Sequence, residues 1–152
     1  MTSTDTNTKE ITSVLNTLTE TCKDGENGFK AAAEQAKQQT LKALFAKYSA
    51  QRTQYALELQ STVRGLGDKP ETTGHMSGAL HRGWMGLKEA LSSNDDKALI
   101  DECEAGEDSA MKAYKEALGK PLPPEIENLV RKQFAGVQEG HRVMSNLKHN
   151  RQ

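Results

Sequence analysis

The sequence predicts an all-α protein, a four-helix bundle assembled from two similar helix pairs. Three observations predict it. Apolar or small residues recur at alternating steps of four and three over most of the chain, the spacing of one helix face. The four prolines are confined to Pro70 and to Pro121, Pro123 and Pro124, so long stretches are free of the residue that breaks helix interiors. A short motif also recurs, once in each half, in the middle of a periodic segment.

Residues 1–7 are polar and are expected to be disordered, ahead of a bundle domain spanning 8–148. The first helix, about residues 8–37, carries Ile11, Leu15, Leu18, Cys22, Gly25, Phe29, Ala32 and Ala36 on its seam. Gly25 and Gly28 are poor helix formers, but the seam stays in phase across them, so one continuous helix is expected. The second helix, about 39–66, continues the pattern through Leu41, Phe45, Tyr48, Arg52, Tyr55, Leu59, Thr62 and Leu66. Arg52 stands where a core residue is due. Gly65-Leu66-Gly67 and then Pro70 end it. A polar connection over 67–75 leads to a short extra helix, about 76–92, with Leu80, Trp84, Leu87 and Leu91 on one face. Ser92-Ser93-Asn94-Asp95 supplies a break and a new N-cap. The next helix, about 95–118, shows Leu99, Cys103, Gly106, Ala110, Ala113 and Ala117. Gly119 and the proline cluster stop it. The last begins near Pro124, whose missing N–H costs nothing in a first turn. Its seam reads Ile126, Val130, Phe134, Val137, His141 and Met144.

The repeat pairs Cys22-Lys-Asp-Gly25-Glu26-Asn27-Gly28 with Cys103-Glu-Ala-Gly106-Glu107-Asp108-Ser109. Both copies lie mid-helix at the same phase of the seam. The helices that follow align Phe45 with Phe134, Tyr48 with Val137, Arg52 with His141 and Tyr55 with Met144. Two helical hairpins related by a pseudo-two-fold, joined by a crossover around 67–93, account for this.

Composition narrows the function. Of 152 residues, 27% are charged and 5% aromatic, with a formal net charge of −1. No basic stripe is present, so nucleic acid is not an expected partner. No apolar run approaches the roughly 20 residues that span a bilayer, and the first residues lack the basic and apolar regions of a secretory signal. A cytoplasmic protein without membrane partners is expected. Few aromatics and many small seam residues limit the core of one bundle, and a homodimer is expected.

Two mid-helix Gly-Glu pairs, one opening each half of a duplicated bundle, resemble the ferritin-like and rubrerythrin-like superfamily. More specifically, the chain resembles an uncharacterised bacterial family of four-helix-bundle proteins known as a domain of unknown function. Gly78-Ala-Leu-His-Arg-Gly-Trp84-Met-Gly-Leu-Lys88, Cys103 to Ala110, and Pro123-Pro-Glu-Ile126 carry that likeness. The resemblance implies the fold, over about residues 8–148.

A di-iron bundle takes a Glu from each of two helices and a Glu-x-x-His from each of the others. Glu26 and Glu107 match the first pair. Neither Glu-x-x-His is present. Arg52-x-x-Tyr55 and Gln138-x-x-His141 stand near those places, or His141-x-x-Met144 by the repeat alignment. A guanidinium is a permanent cation and cannot ligate a metal. The expected site is therefore a polar core cluster of Glu26, Arg52, Glu107 and His141, two carboxylates neutralised by two cations. Two alternatives stay open: Glu26 and Glu107 as exposed helix carboxylates, or a reduced site in which Glu26, Glu107 and His141 bind iron or another divalent metal. Cys22 and Cys103 read as small core residues, with a redox pair as the alternative. Trp84 reads as a core or interface anchor and His81 as a surface or capping group, while His75 and His81 are not spaced to share a helix face. No phosphate loop or catalytic triad motif occurs.

The expected function is that of a non-catalytic structural, interaction or stress-associated module with a degenerate metal site and no cofactor. The alternative is a metal-binding oxidoreductase or storage protein, which would have to use Glu26, Glu107 and His141.

Overall fold

A computed structural model describes residues 2–71 and 83–150, with the backbone alone for 2–6. Five helices are present among them, and no strand: α1 (Thr2–Gln35), α2 (Gln39–Gly65), α3 (Leu87–Ser92), α4 (Asp96–Leu118) and α5 (Pro124–Asn150). His75, His81, Leu80 and residues 76–82 of the expected short helix lie outside the described residues. Helix α1 starts six residues ahead of the expected boundary. Once a packed helix exists, each added residue avoids the cost of nucleation, so polar residues extend it readily.

Helix α1 lies along α2, α4 lies along α5, and α1 also packs on α4, with α3 against α4. All eight expected seam residues of α1 face inward. Ile11 is 9% exposed and Leu15, Leu18, Phe29 and Ala32 are 0% exposed. Helix α2 ends as expected. Gly67 takes φ 83°, its N–H bonds the Arg64 carbonyl at 2.9 Å, and the Asp68 N–H bonds the Val63 carbonyl at 3.2 Å. A left-handed residue at that place favours glycine, which lacks the clashing Cβ.

Two sets of contacts fasten the hairpins and the connection. Asp95 caps its own helix, accepting from the Lys97 N–H at 3.0 Å. Asp96 instead reaches the turn between α1 and α2, accepting from the N–H groups of Lys37 at 2.8 Å and Gln38 at 3.1 Å. These are orphan donors at the start of α2, satisfied from the other half of the molecule. At the far end, Asn16 donates to the Lys69 carbonyl and accepts from the Glu71 N–H, and Gln60 donates to the Glu71 carbonyl.

The apolar core has two compartments. One holds Leu15, Leu18, Cys22, Leu59, Tyr114 and Val137. The other holds Phe29, Phe45, Tyr48, Trp84, Cys103 and Met144. On each long helix the change from one to the other falls at a residue that is charged or lacks a side chain: Gly25, Arg52, Glu107 and Gly140. Trp84 anchors the second compartment. Its ring meets Phe29 edge-on at 5.4 Å, and it lies over Gly28 and Gly106, where any β-carbon would overlap the indole. No helix among the described residues is long and apolar enough to cross a membrane.

Candidate functional site

The middle layer of the bundle is built around Arg52 on α2. At 1% exposure it is among the largest fully buried side chains. Its Nη1 donates to Oε1 of Glu107 at 2.5 Å and its Nη2 to Oε2 at 2.6 Å. Two parallel charge-assisted bonds of this kind fix orientation as well as charge. Nε donates to Oε1 of Gln51 at 3.1 Å, and the guanidinium lies 5.5 Å from the Phe29 ring centroid. Burial alone favours a neutral guanidine. The Glu107 carboxylate more than offsets it and holds the Arg52 pKa above the ordinary value.

Two glycines make room for the pair. A β-carbon on Gly25 of α1 would stand 3.2 Å from Arg52 Cγ and 3.3 Å from Nη1. A β-carbon on Gly140 of α5 would overlap Oε2 of Glu107. The pair thus spans α2 and α4 and is walled by backbone of α1 and α5. A groove of about 240 Å³ between α1 and α4 reaches Arg52, lined there by Gly25, Trp84 and Gly106. Both Nη atoms at its base are already committed to Glu107.

The four expected residues do not form one cluster. Glu26 lies at the rim: Oε1 is 2.7 Å from Lys23 Nζ, and Oε2 accepts from Thr53 Oγ1 at 2.6 Å. Its carboxyl is partly buried, which opposes ionisation. The bonds from Lys23 and Thr53 prevail, and its pKa falls below the usual value. His141 is half-buried at the edge of the bundle, Nε2 3.9 Å from Oδ1 of Asp108. The expected repeat pairs Glu26 with Glu107, but their surroundings differ. Gly140 lets α5 close over Glu107, whereas Ser49 and Thr53 of α2 leave Glu26 at an edge, with Ser49 bonded to its carbonyl. His141 misses the core by one residue, because Gly140 occupies the inward position.

The same one-residue offset hid a second polar layer. Gln133, not Phe134, is the inward residue of α5, at 0% exposure. Its Nε2 donates to the Tyr55 carbonyl at 3.2 Å and to Glu58 Oε1 at 2.9 Å, which turns Oε1 toward Tyr114. The Tyr114 hydroxyl donates to that oxygen at 2.7 Å. A phenol has a single proton to give, so in the 3.1 Å contact with Cys22 the thiol is the donor. Burial pushes the Cys22 pKa up to about 11. Cys103 is also raised by burial. Both cysteines are free and they lie in different compartments, so the structure gives no support to a redox pair. The signal for Gln133 was available in the sequence: Ile126, Val130, Val137 and Met144 admit 133 and 140 as well as 134 and 141. Hydropathy favoured the latter.

The residues do not fit a ferritin-type metal centre. Both oxygens of Glu107 are bound to Arg52, Glu26 is held by Lys23 and Thr53, and His141 faces Asp108. Among the described residues, no three His, Cys, Asp or Glu side chains are grouped as a metal would require.

No curated protein matches the chain. A family model described as a domain of unknown function, DUF2383, matches residues 10–120, which takes in α1 from residue 10 onward, α2 to α4 and both members of the Arg52–Glu107 pair. That match covers most of the sequence, and the chain belongs to the DUF2383 family.

Proposed function

We propose that this protein is a non-catalytic bundle of the ferritin-like class, a structural or interaction module in which an internal ion pair stands where such bundles hold metal. The observation that carries the reading is the double bond between Arg52 and Glu107, whose side chains are 2% and 0% exposed. A buried guanidinium repels a cation at short range and occupies the carboxylate that would bind it. The test is elemental analysis of protein purified without added metal or chelator, followed by titration with ferrous and zinc ions. Metal well below one equivalent, with no rise in melting temperature on titration, is expected. One equivalent of metal that survives desalting and is lost in Glu107→Gln overturns the reading and favours a metal-binding oxidoreductase or storage protein.

As an interaction module the chain works as a homodimer. Leu57 and Met85, 53% and 75% exposed, are the large apolar side chains left at the described surface. Light scattering across working concentrations is expected to return twice the chain mass of 16.7 kDa. A monomer throughout rejects the dimer.

A further inference from the structure

We propose that the Arg52–Glu107 pair is a register lock, a layer that fixes the relative heights of the four long helices together with the Gln133 network and excludes neighbouring packings of the same seams.

An apolar compartment lies on either side of the pair. Besides their aromatic residues, the seams repeat small and medium side chains at steps of three and four, Leu15-Leu18-Cys22 on α1 and Ile126-Val130 and Val137 on α5. Such seams present nearly the same surface after a slide of one turn, about 5.4 Å along the axis. Apolar contact alone is non-directional and distinguishes weakly between these alternatives. The middle layer is different. Arg52 must meet both oxygens of Glu107 in one plane. Gly25 is the residue of α1 that lies against the guanidinium arm, and Gly140 the residue of α5 that lies against the carboxylate. Sliding α5 by one turn in either direction brings Val137 or Met144 opposite Glu107, and their side chains fill the space that Oε2 occupies. Sliding α1 brings Cys22 or Phe29 against Arg52 in the same way. Sliding α2 or α4 parts the ion pair itself and strands two buried charges, a large penalty. Each helix therefore has one height that the layer accepts. Fixing register is the best-attested use of a buried polar group.

The lock does not depend on the metal-free reading above. Bound metal would overturn that reading, while the lock stands or falls on interhelix distances alone.

Spin labels on Gln54→Cys of α2 and Gln138→Cys of α5, both exposed, report the relative height of these helices by pulsed EPR in samples diluted with unlabelled protein. Wild-type surroundings are expected to give one narrow distance. In the double variant Arg52→Met with Glu107→Leu, which replaces the pair by apolar groups, the distribution is expected to widen at least twofold or to shift by about 5 Å, while helix content is retained. The same mean and width in a folded double variant overturn the lock. Arg52→Lys is the second arm. It keeps the positive charge but offers a point donor in place of the planar fork, and the lock requires broadening here too. An unchanged distribution in Arg52→Lys overturns the proposal even where the apolar pair does not fold.

Discussion

Gly140 on α5 faces Glu107 on α4 so closely that a β-carbon there would overlap a carboxylate oxygen. The adjacent Nη2 of Arg52 would lie 3.3 Å from that carbon. Neither atom belongs to a flexible exposed end, since both sit in a bidentate pair buried from solvent. Gly140→Ala is therefore expected to destabilise the fold despite the higher helix propensity of alanine. Overpacking of this kind costs about 1–3 kcal/mol. Gly65→Ala is the control, because a β-carbon at Gly65 meets nothing within 4 Å. Urea melts that ranked Gly140→Ala at or above wild type would show that the layer has slack the geometry denies.

Removal of the cation is a sharper perturbation. Arg52→Ala leaves Glu107 buried with no opposite charge, at a cost of roughly 3–5 kcal/mol. The partner that should relieve this loss is Glu107 and not Glu26, whose oxygens already bind Lys23 and Thr53. Arg52→Ala with Glu107→Gln is expected to recover part of the stability, and Arg52→Ala with Glu26→Gln to recover none. A double-mutant cycle in denaturant measures both couplings, and equal recovery by the two carboxylate variants would contradict the pairing.

How much of this was legible in the sequence varies from helix to helix. The α1 seam reads correctly from Ile11 to Ala36 because each of its eight seam residues is apolar or small. On α2 the reading holds through Arg52 and then slips, since Ala56 and Val63 are buried where Tyr55 and Thr62 were expected. A straight helix drifts against a strict alternation of three and four by about 20° per heptad, enough to move the inward position by one residue. On α5 the inward positions at two turns are Gln133 and Gly140, one polar and one without a side chain. Hydropathy cannot recognise either. Arg52 announced itself as a cation in a core position, but the choice between Glu26 and Glu107 depended on whether α5 closes over one of them, which Gly140 decides and the repeat does not.

At low pH, Glu26 is the group to watch. Its folded pKa lies below the ordinary 4.5, so the unfolded chain binds its proton first as pH falls. The stability it contributes is present above that ordinary value and is lost as pH drops through the folded one. In Glu26→Gln this share of the acid dependence should vanish: wild type and variant should differ by a constant amount above about pH 5 and converge below it. Urea midpoints from pH 3 to 7 check this. Parallel curves over the whole range would mean that Lys23 and Thr53 do not hold the carboxylate.

The alkaline side involves Cys22. Its folded pKa of about 11 lies above the ordinary 9.0, so the unfolded chain releases the proton first. Stability from this thiol is complete below pH 9 and declines as pH rises toward 11. The total amounts to roughly 2–3 kcal/mol. Cys103 and Tyr114, also raised by burial, act in the same direction. Cys22→Ala should lower stability at neutral pH, since a cavity and an unmatched Tyr114 oxygen remain, yet flatten the loss between pH 9 and 11. An unaltered alkaline slope would place the proton release elsewhere.

Asp96 offers a test of how the hairpins are joined. Its two oxygens take the N–H groups of Lys37 and Gln38, so Asp96→Ala strips the acceptors from the turn that leads into α2. A loss of about 1–2 kcal/mol is expected, with faster amide exchange at Lys37 and Gln38. Asp95→Ala, by contrast, should raise exchange at Lys97, the residue it caps. Identical exchange patterns in the two variants would refute the division of labour.

The clamp on the connection after α2 bears on how this chain tolerates change. Asn16 and Gln60 hold Lys69 and Glu71 through backbone carbonyl and N–H groups. The path of the strap is thereby set in part by main-chain atoms: Lys69 can be exchanged for almost any residue that keeps its carbonyl in place. Proline at 71 is excluded, since it has no N–H to give Asn16. A graft or affinity tag that ends at this strap should find its route already laid out by two amides on neighbouring helices.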